Sequence, residues 1–151
     1  MDRLILFIAT GGGAGYLPRA PGTWGSLVGV ALWFALRNLA VLPYLSVIAA
    51  LFVVGTLCAG SAEKIIDRAD PGLVVVDEIV GQMLALLAAP HHPGAVLLGF
   101  LFFRLFDILK PFPAGWLDRH IHGGLGIMLD DVVAGLYSLL LLQIVWRYLL
   151  P

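Results

Sequence analysis

Cysteine is almost missing from this chain: Cys58 stands alone among 151 residues. That excludes a disulfide-stapled secreted scaffold, and no Cys/His spacing of the zinc kind is present. Charge is scarce as well, at 13% Asp, Glu, Lys and Arg against roughly a quarter in ordinary soluble domains. Nine Lys+Arg face ten Asp+Glu, a net charge of −1, so there is no basic field and nucleic acid is excluded as a partner. Disorder and coiled coil are excluded by the hydrophobicity that fills the space left by charge. No internal repeat or low-complexity segment is visible. A cleaved signal peptide is not expected, because Leu4 to Ala9 is too short for its apolar region and Gly11-Gly12-Gly13 follows.

What is there is apolar. Sixty per cent of the chain is AVILMFWYC, and the mean hydropathy is +0.96 over 16.2 kDa. One globule of this size has too little interior to hide so much apolar surface. The chain is therefore expected to be a polytopic integral membrane protein, an all-α bundle in which residues 1–151 form a single membrane-embedded domain.

Charges are absent from Ala20 to Leu36, Asn38 to Ala62, Ile79 to Phe103 and Val132 to Trp146, runs of 17, 25, 25 and 15 residues. A membrane-crossing helix needs roughly 20 apolar residues. Pro21, Gly22 and Gly25 make a loop of the first run's start, so its helix is expected from about Ser26, past Arg37, towards Leu42. Pro43 then marks a turn, and a second span runs from Tyr44 to about Ser61. The turn signal Ala89-Pro90-His91-His92-Pro93-Gly94 divides the third run in two. Asp77 and Glu78 then open a short third helix, while Arg104, Asp107 and Lys110 end a fourth. The fifth is expected from about Ile127 to Leu149, with Asp130 and Asp131 in its first turns. With the N-terminus inside, the cytoplasmic segments hold Arg3, Arg19, Lys64, Arg68, Arg104, Lys110 and Arg119, and the outer ones hold Arg37 and Arg147. Seven against two follows the positive-inside rule.

The five carboxylates Asp77, Glu78, Asp107, Asp130 and Asp131 thus fall at the ends of three apolar helices on one face. Each costs roughly 2.5–3.5 kcal/mol at a bilayer centre, so they must line a polar cavity or the interface. Two carboxylates about 4 Å apart repel by about 4 kcal/mol at an effective dielectric of 20, and such a cluster needs a cation. Oxygen ligands alone point to Mg²⁺. Neighbours on a helix point about 100° apart, so one member of each acidic pair is expected outside the inner ligand shell. Gly81 and Gly135, each one turn beyond a carboxylate, leave bare backbone suited to close helix packing. Arg104, Asp107 and Lys110, spaced i, i+3, i+6, set a metal ligand between two cations, an arrangement suited to a phosphate ester with bound Mg²⁺.

The loop from Gly15 to Ser26 is punctuated by glycine and proline and runs into a helix N-terminus, where backbone N–H groups with the Thr23 and Ser26 hydroxyls suit an anion. It is not a Walker A sequence. His91 and His92 belong to the outer turn, and His120 and His122 to a solvated loop spanning Asp118–Gly126.

Four blocks together carry a resemblance: Gly15-Tyr16-Leu17-Pro18-Arg19-Ala20-Pro21-Gly22-Thr23-Trp24-Gly25-Ser26, Val76-Asp77-Glu78-Ile79-Val80-Gly81, Phe103-Arg104-Leu105-Phe106-Asp107-Ile108-Leu109-Lys110-Pro111, and Gly123-Gly124-Leu125-Gly126-Ile127-Met128-Leu129-Asp130-Asp131. In this order, over nearly the whole chain, the sequence resembles the phosphatidylglycerophosphatase A family. The resemblance implies an α-helical enzyme of the bacterial cytoplasmic membrane that takes an anionic phospholipid as substrate. It would remove the terminal phosphate of phosphatidylglycerophosphate with Mg²⁺ as cofactor and without an obligatory protein partner. It implicates Asp77, Glu78, Asp107, Asp130 and Asp131 in catalysis, with Asp77, Glu78, Asp107 and Asp131 as metal ligands. Arg19, Thr23, Arg104 and Lys110 are the phosphate partners we add. Attack by water with a free carboxylate as general base and an aspartyl-phosphate route both remain open.

Other membrane functions fit less well. A CDP-alcohol phosphotransferase needs D-x₂-D-G-x₂-A-R, which is absent. A small cation or proton transporter wants its ionisable groups near mid-membrane, and a purely structural subunit leaves the acidic cluster without a use.

Overall fold

The computed structural model describes Met1 to Tyr148, and these residues form seven α-helices and one 3₁₀ turn, with no strand among them. The helices are α1 (Asp2–Ala9), α2 (Pro21–Leu36), α3 (Val41–Ile66), α4 (Val76–Ala85), α5 (Pro93–Leu109), α6 (Ala114–His120) and α7 (Gly123–Tyr148), with the 3₁₀ turn at Ala14–Tyr16.

Proline and left-handed residues set several boundaries. Pro21 and Pro93 each open a helix, where a missing N–H costs nothing. The His92 ring nitrogen Nδ1 accepts from the Gly94 N–H at 3.1 Å. Lys110, at φ 44°, closes α5 one residue before Pro111.

Several expected boundaries move. The first long helix begins at Pro21 rather than Ser26 and stops at Leu36. Arg19 and Ala20, with φ of 61° and 49°, turn the chain so that Pro21 is already helical. Pro43 is no turn: it sits in the first turn of α3, which runs from Val41 to Ile66, past Ser61. The last helix starts at Gly123 instead of Ile127, which places Asp130 and Asp131 about two turns in; its expected end at Leu149 lies outside the described residues. The segment from Asp118 to Gly126 is largely helical rather than loop, since α6 continues to His120.

α3 and α7 have 26 residues each and are long and apolar enough to cross a membrane; at 1.5 Å per residue they span about 39 Å. α2 and α5 are shorter, at 16 and 17 residues, and α4 has only ten. The outside of the bundle is oily. α5 exposes Leu97, Leu101, Leu105 and Ile108 at helical spacing, α7 exposes Leu136, Leu140 and Ile144, and α3 exposes Val53, Val54 and Leu57. Apolar surface this extensive belongs against lipid, so the protein is membrane-associated.

α4 is the axis of the structure. All its residues except Asp77 and Glu78 are buried, and it lies between α2 and α7, which in turn carries α3 and α5. Lipid offers helices no hydrophobic reason to associate, so close packing has to do it. A Cβ on Gly81 would lie 2.6 Å from the Asp131 carbonyl oxygen, and one on Gly135 would lie 2.5 Å from the Gly81 carbonyl oxygen. The two glycines face each other where α4 crosses α7, the close packing their positions predicted. On the other side, Gly25 and Gly29 of α2 meet the Val75 and Ile79 carbonyls, both at 2.9 Å from a notional Cβ.

Candidate active site

The α4–α7 crossing brings the carboxylates together. Asp77 and Glu78 open α4, Asp131 is carried beside them by the Gly81–Gly135 contact, and one oxygen from each lies within 4.8 Å of the others. Asp77 Oδ1, Glu78 Oε2 and Asp131 Oδ2 are buried with no hydrogen-bond partner. At 4.8 Å each pair of charges repels by about 3.5 kcal/mol at an effective dielectric of 20. Three orphaned oxygens of one sign fit a hard divalent cation. Asp77 and Glu78 both reach this point: they occupy the first turn of α4, and Glu is longer by one carbon, which offsets their angular separation.

Asp107 and Asp130 are held by cations instead. The Arg104 Nη1 pairs with Asp107 Oδ2 at 2.6 Å and donates to the Ser26 hydroxyl at 3.3 Å. Lys110 Nζ bridges Asp130 Oδ2 at 2.6 Å and Asp118 Oδ1 at 2.7 Å. Burial alone would lower the Lys110 pKa, but the hydrogen bonds and charges of Asp118 and Asp130 outweigh it and hold the ammonium above its ordinary value. Asp131 thus joins the cluster while its neighbour Asp130 pairs with Lys110. Asp107 stands next to Asp131 and Glu78 as well as pairing with Arg104.

A cavity of about 230 Å³ opens onto these groups. It is lined by Glu63, Asp70, Asp77, Glu78, Asp107, Asp118, Asp130 and Asp131, eight of the chain's ten acidic residues, with Lys110 the cation in its wall. Burial raises the Asp70 pKa, partly offset by Lys110. Sequence reasoning missed Glu63, Asp70 and Asp118; their loop and helix-end positions gave no local signal, and only the path of the chain gathers them. His122 is exposed at the cavity's edge. His120 is exposed and stacks on Trp116 with ring centroids 4.7 Å apart.

Of the residues assigned to phosphate, Arg19 and Thr23 do not line the cavity, and Arg104 lies behind Asp107. The loop before α2 nevertheless reaches the site, because a Cβ on Gly22 would run into the Glu78 carboxylate and the Arg104 guanidinium. Neither Thr23 nor Ser26 caps α2; the Ser26 hydroxyl donates to the Gly22 carbonyl at 2.8 Å. The two cations near Asp107 do not flank it on one helix face. Lys110, left-handed at the end of α5, swings away to Asp118 and Asp130.

The family model for Phosphatidylglycerophosphatase A matches residues 7–146. The chain belongs to the phosphatidylglycerophosphatase A family. It is accordingly a phosphatase. Phosphatidylglycerophosphatase A of Escherichia coli is 38% identical over 132 residues, covering 87% of this chain and 77% of the relative. The protein of the same name in Haemophilus influenzae is 36% identical over 148 residues, or 97% and 91% of the two chains. A Bacteroides thetaiotaomicron protein whose name gives phosphatidylinositol-3-phosphatase as a provisional activity is 39% identical over 150 residues, 93% and 92% of the chains. No solved structure matches. All four blocks of the family resemblance converge on α4: its own first turn, the head of α2, the end of α5 and the first half of α7.

Proposed function

We propose that this protein is a Mg²⁺-dependent phosphatase of the bacterial cytoplasmic membrane, which hydrolyses the terminal phosphate monoester of phosphatidylglycerophosphate to phosphatidylglycerol and phosphate. The observation that carries the reading is the orphaned carboxylate set Asp77, Glu78 and Asp131 in a cavity beside Lys110. Those three carboxylates are the groups that would hold Mg²⁺, with Asp107 adjacent. The cation would neutralise phosphate oxygens, the main requirement for a reaction whose acceleration reaches about 10²¹-fold.

The chain's own residues supply the rest. Asp118 and Asp130 take two of the three N–H donors of Lys110 and leave one for a phosphate oxygen. Arg104, behind Asp107, spends its Nη1 on Asp107 and Ser26, and its other donors would have to turn towards the cavity to meet a phosphate oxygen. Asp107 lines the cavity, and Arg104 fixes its orientation, so it is the carboxylate suited to take the proton from the attacking water. Arg19 and Thr23, on either side of the Gly22 that meets Glu78, are assigned to the lipid headgroup outside the cavity.

In the membrane we read five passes: α2, α3, α5 and α7, with α4 and the turn after it making the remaining one. The cavity then opens on the cytoplasmic side, where Lys64, Arg68, Lys110 and Arg119 gather. The acyl chains stay in the leaflet along the exposed leucines of α5.

The test is phosphate release by purified protein from phosphatidylglycerophosphate, phosphatidylinositol 3-phosphate and a soluble monoester, with and without a chelator. Release from the first in preference to the others, abolished by chelation and restored by Mg²⁺, is expected. Undiminished turnover in chelator would refute the metal assignment, and equal turnover of the soluble ester would refute the lipid assignment.

A further inference from the structure

Gln82 has no place in the mechanism above, yet it is fully buried, at 0% exposure, in the centre of α4. Neither its Oε1 nor its Nε2 has a hydrogen-bond partner. An amide buried without partners is costly, and an unbranched apolar side chain of the same length would pack there without that cost. The opposing helix is cut away to admit it: a Cβ on Gly29 of α2 would stand 2.9 Å from Gln82 Cβ and 3.2 Å from its Cγ.

Its position relates it to one residue of the cluster. Glu78 and Gln82 are spaced i, i+4, on one face of α4 in successive turns, a spacing at which glutamine side chains hydrogen-bond to acidic neighbours. α2 presents glycines at both levels, Gly22 against Glu78 and Gly29 against Gln82. Between those glycines lies Ser26, fully buried, its hydroxyl already engaged with the Gly22 carbonyl and Arg104. Ser26 is therefore occupied. On this face an orphaned acceptor, Glu78 Oε2, and an orphaned donor, Gln82 Nε2, are left one turn apart.

We propose that Gln82 is a positioning residue for Glu78: its Nε2–H donates to the Glu78 carboxylate when a divalent cation draws Asp77, Glu78 and Asp131 together. The inference rests on reading those three carboxylates as the cation site. The amide acts through Glu78, fixing the rotamer that offers an oxygen to the cation. Removing such a supporting hydrogen bond typically costs ten- to a hundredfold in metal affinity.

The experiment needs no substrate. The melting temperature of the purified full chain in detergent is followed against Mg²⁺ concentration, since a ligand that binds only the folded state raises it by mass action. Gln82→Met, similar in length but without the amide, is expected to melt at or above the wild-type temperature without Mg²⁺ and to need about tenfold more Mg²⁺ for the same rise in melting temperature. Gln82→Leu should behave alike. A rise in melting temperature at each Mg²⁺ concentration equal to that of the wild type, in either folded variant, overturns the assignment. So does a marked loss of stability, or failure to fold, in both variants without Mg²⁺, because that is the mark of a packing role. A wild-type protein whose melting does not respond to Mg²⁺ would instead overturn the cation site itself.

Discussion

Gly81→Ala adds a single methyl group at the α4–α7 crossing, and its effect can be worked from the geometry. The new Cβ would lie 2.5 Å from Phe103 Cε2 and 2.6 Å from the Asp131 carbonyl oxygen, whereas ordinary contact begins at 3.4 Å. The phenylalanine ring can tilt, but the carbonyl belongs to a helix backbone and cannot move alone. α4 and α7 must therefore separate by up to about 0.8 Å, the shortfall against the Asp131 oxygen. Overpacking of this kind costs typically 1–3 kcal/mol, and alanine returns about 1 kcal/mol of helix propensity. A net loss of roughly 1 kcal/mol lowers the melting temperature by only about 2–4 °C. Activity should suffer far more, because the same displacement parts Asp131 from Asp77 and Glu78, and a shift near 1 Å costs about 10²-fold in rate. Gly135→Ala attacks the same contact from α7 and should give the same pattern. Melting curves and phosphate release on the same preparations check both. A variant that melts slightly early but turns over at the wild-type rate would refute the claim that this crossing sets the cluster.

Three further outcomes are expected. Asp107→Asn should lower turnover by at least about 10²-fold, the scale of losing one electrostatic group, while the protein still folds; near-normal phosphate release would remove Asp107 from the site. His120→Cys, in a chain whose Cys58 is replaced, should react with an impermeant thiol reagent only from the cytoplasmic side, and His92→Cys only from outside; the reverse labelling would invert the membrane orientation. Cys58 is buried in the middle of α3 and lines no part of the cavity, so Cys58→Ala should keep most of its activity and alkylation should not inhibit, and a folded but inactive alanine variant would contradict this.

The helices and the acidic site were legible in the sequence for different reasons. Charge-free runs marked the apolar helices, because lipid and core alike exclude charge. Asp77, Glu78 and Asp131 could be singled out because carboxylates beside long apolar runs have few stable places to go. The glycines at 81 and 135 were readable as packing sites by position alone. What local pattern could not supply was direction. Lys110 looked like a partner of Arg104 along one helix face, and only its left-handed φ of 44° sends it to Asp118 and Asp130. Pro43 looked like a break and is an ordinary first-turn proline. The start of α7 was hidden by Gly123, Gly124 and Gly126, which read as loop; Gly124 is helical because it packs against the Thr56 carbonyl of α3, a contact fixed by tertiary structure. Gln82 gave no signal at all, since one glutamine in an apolar helix is unremarkable until its lack of partners is seen.

The burial of α4 between α2 and α7 also bears on how the protein is made. A ribosome delivers α2 first, α4 some forty residues later and α7 last of the three. When α4 emerges, one of its two walls does not yet exist, and its first turn carries two carboxylates that lipid will not accept. The helix therefore has to wait, shielded by the insertion machinery or lying at the surface, until α7 arrives to close over Gly81. Catalytic competence is then gained in a late step of biogenesis, and a nascent chain arrested before α7 should hold α4 outside the bilayer.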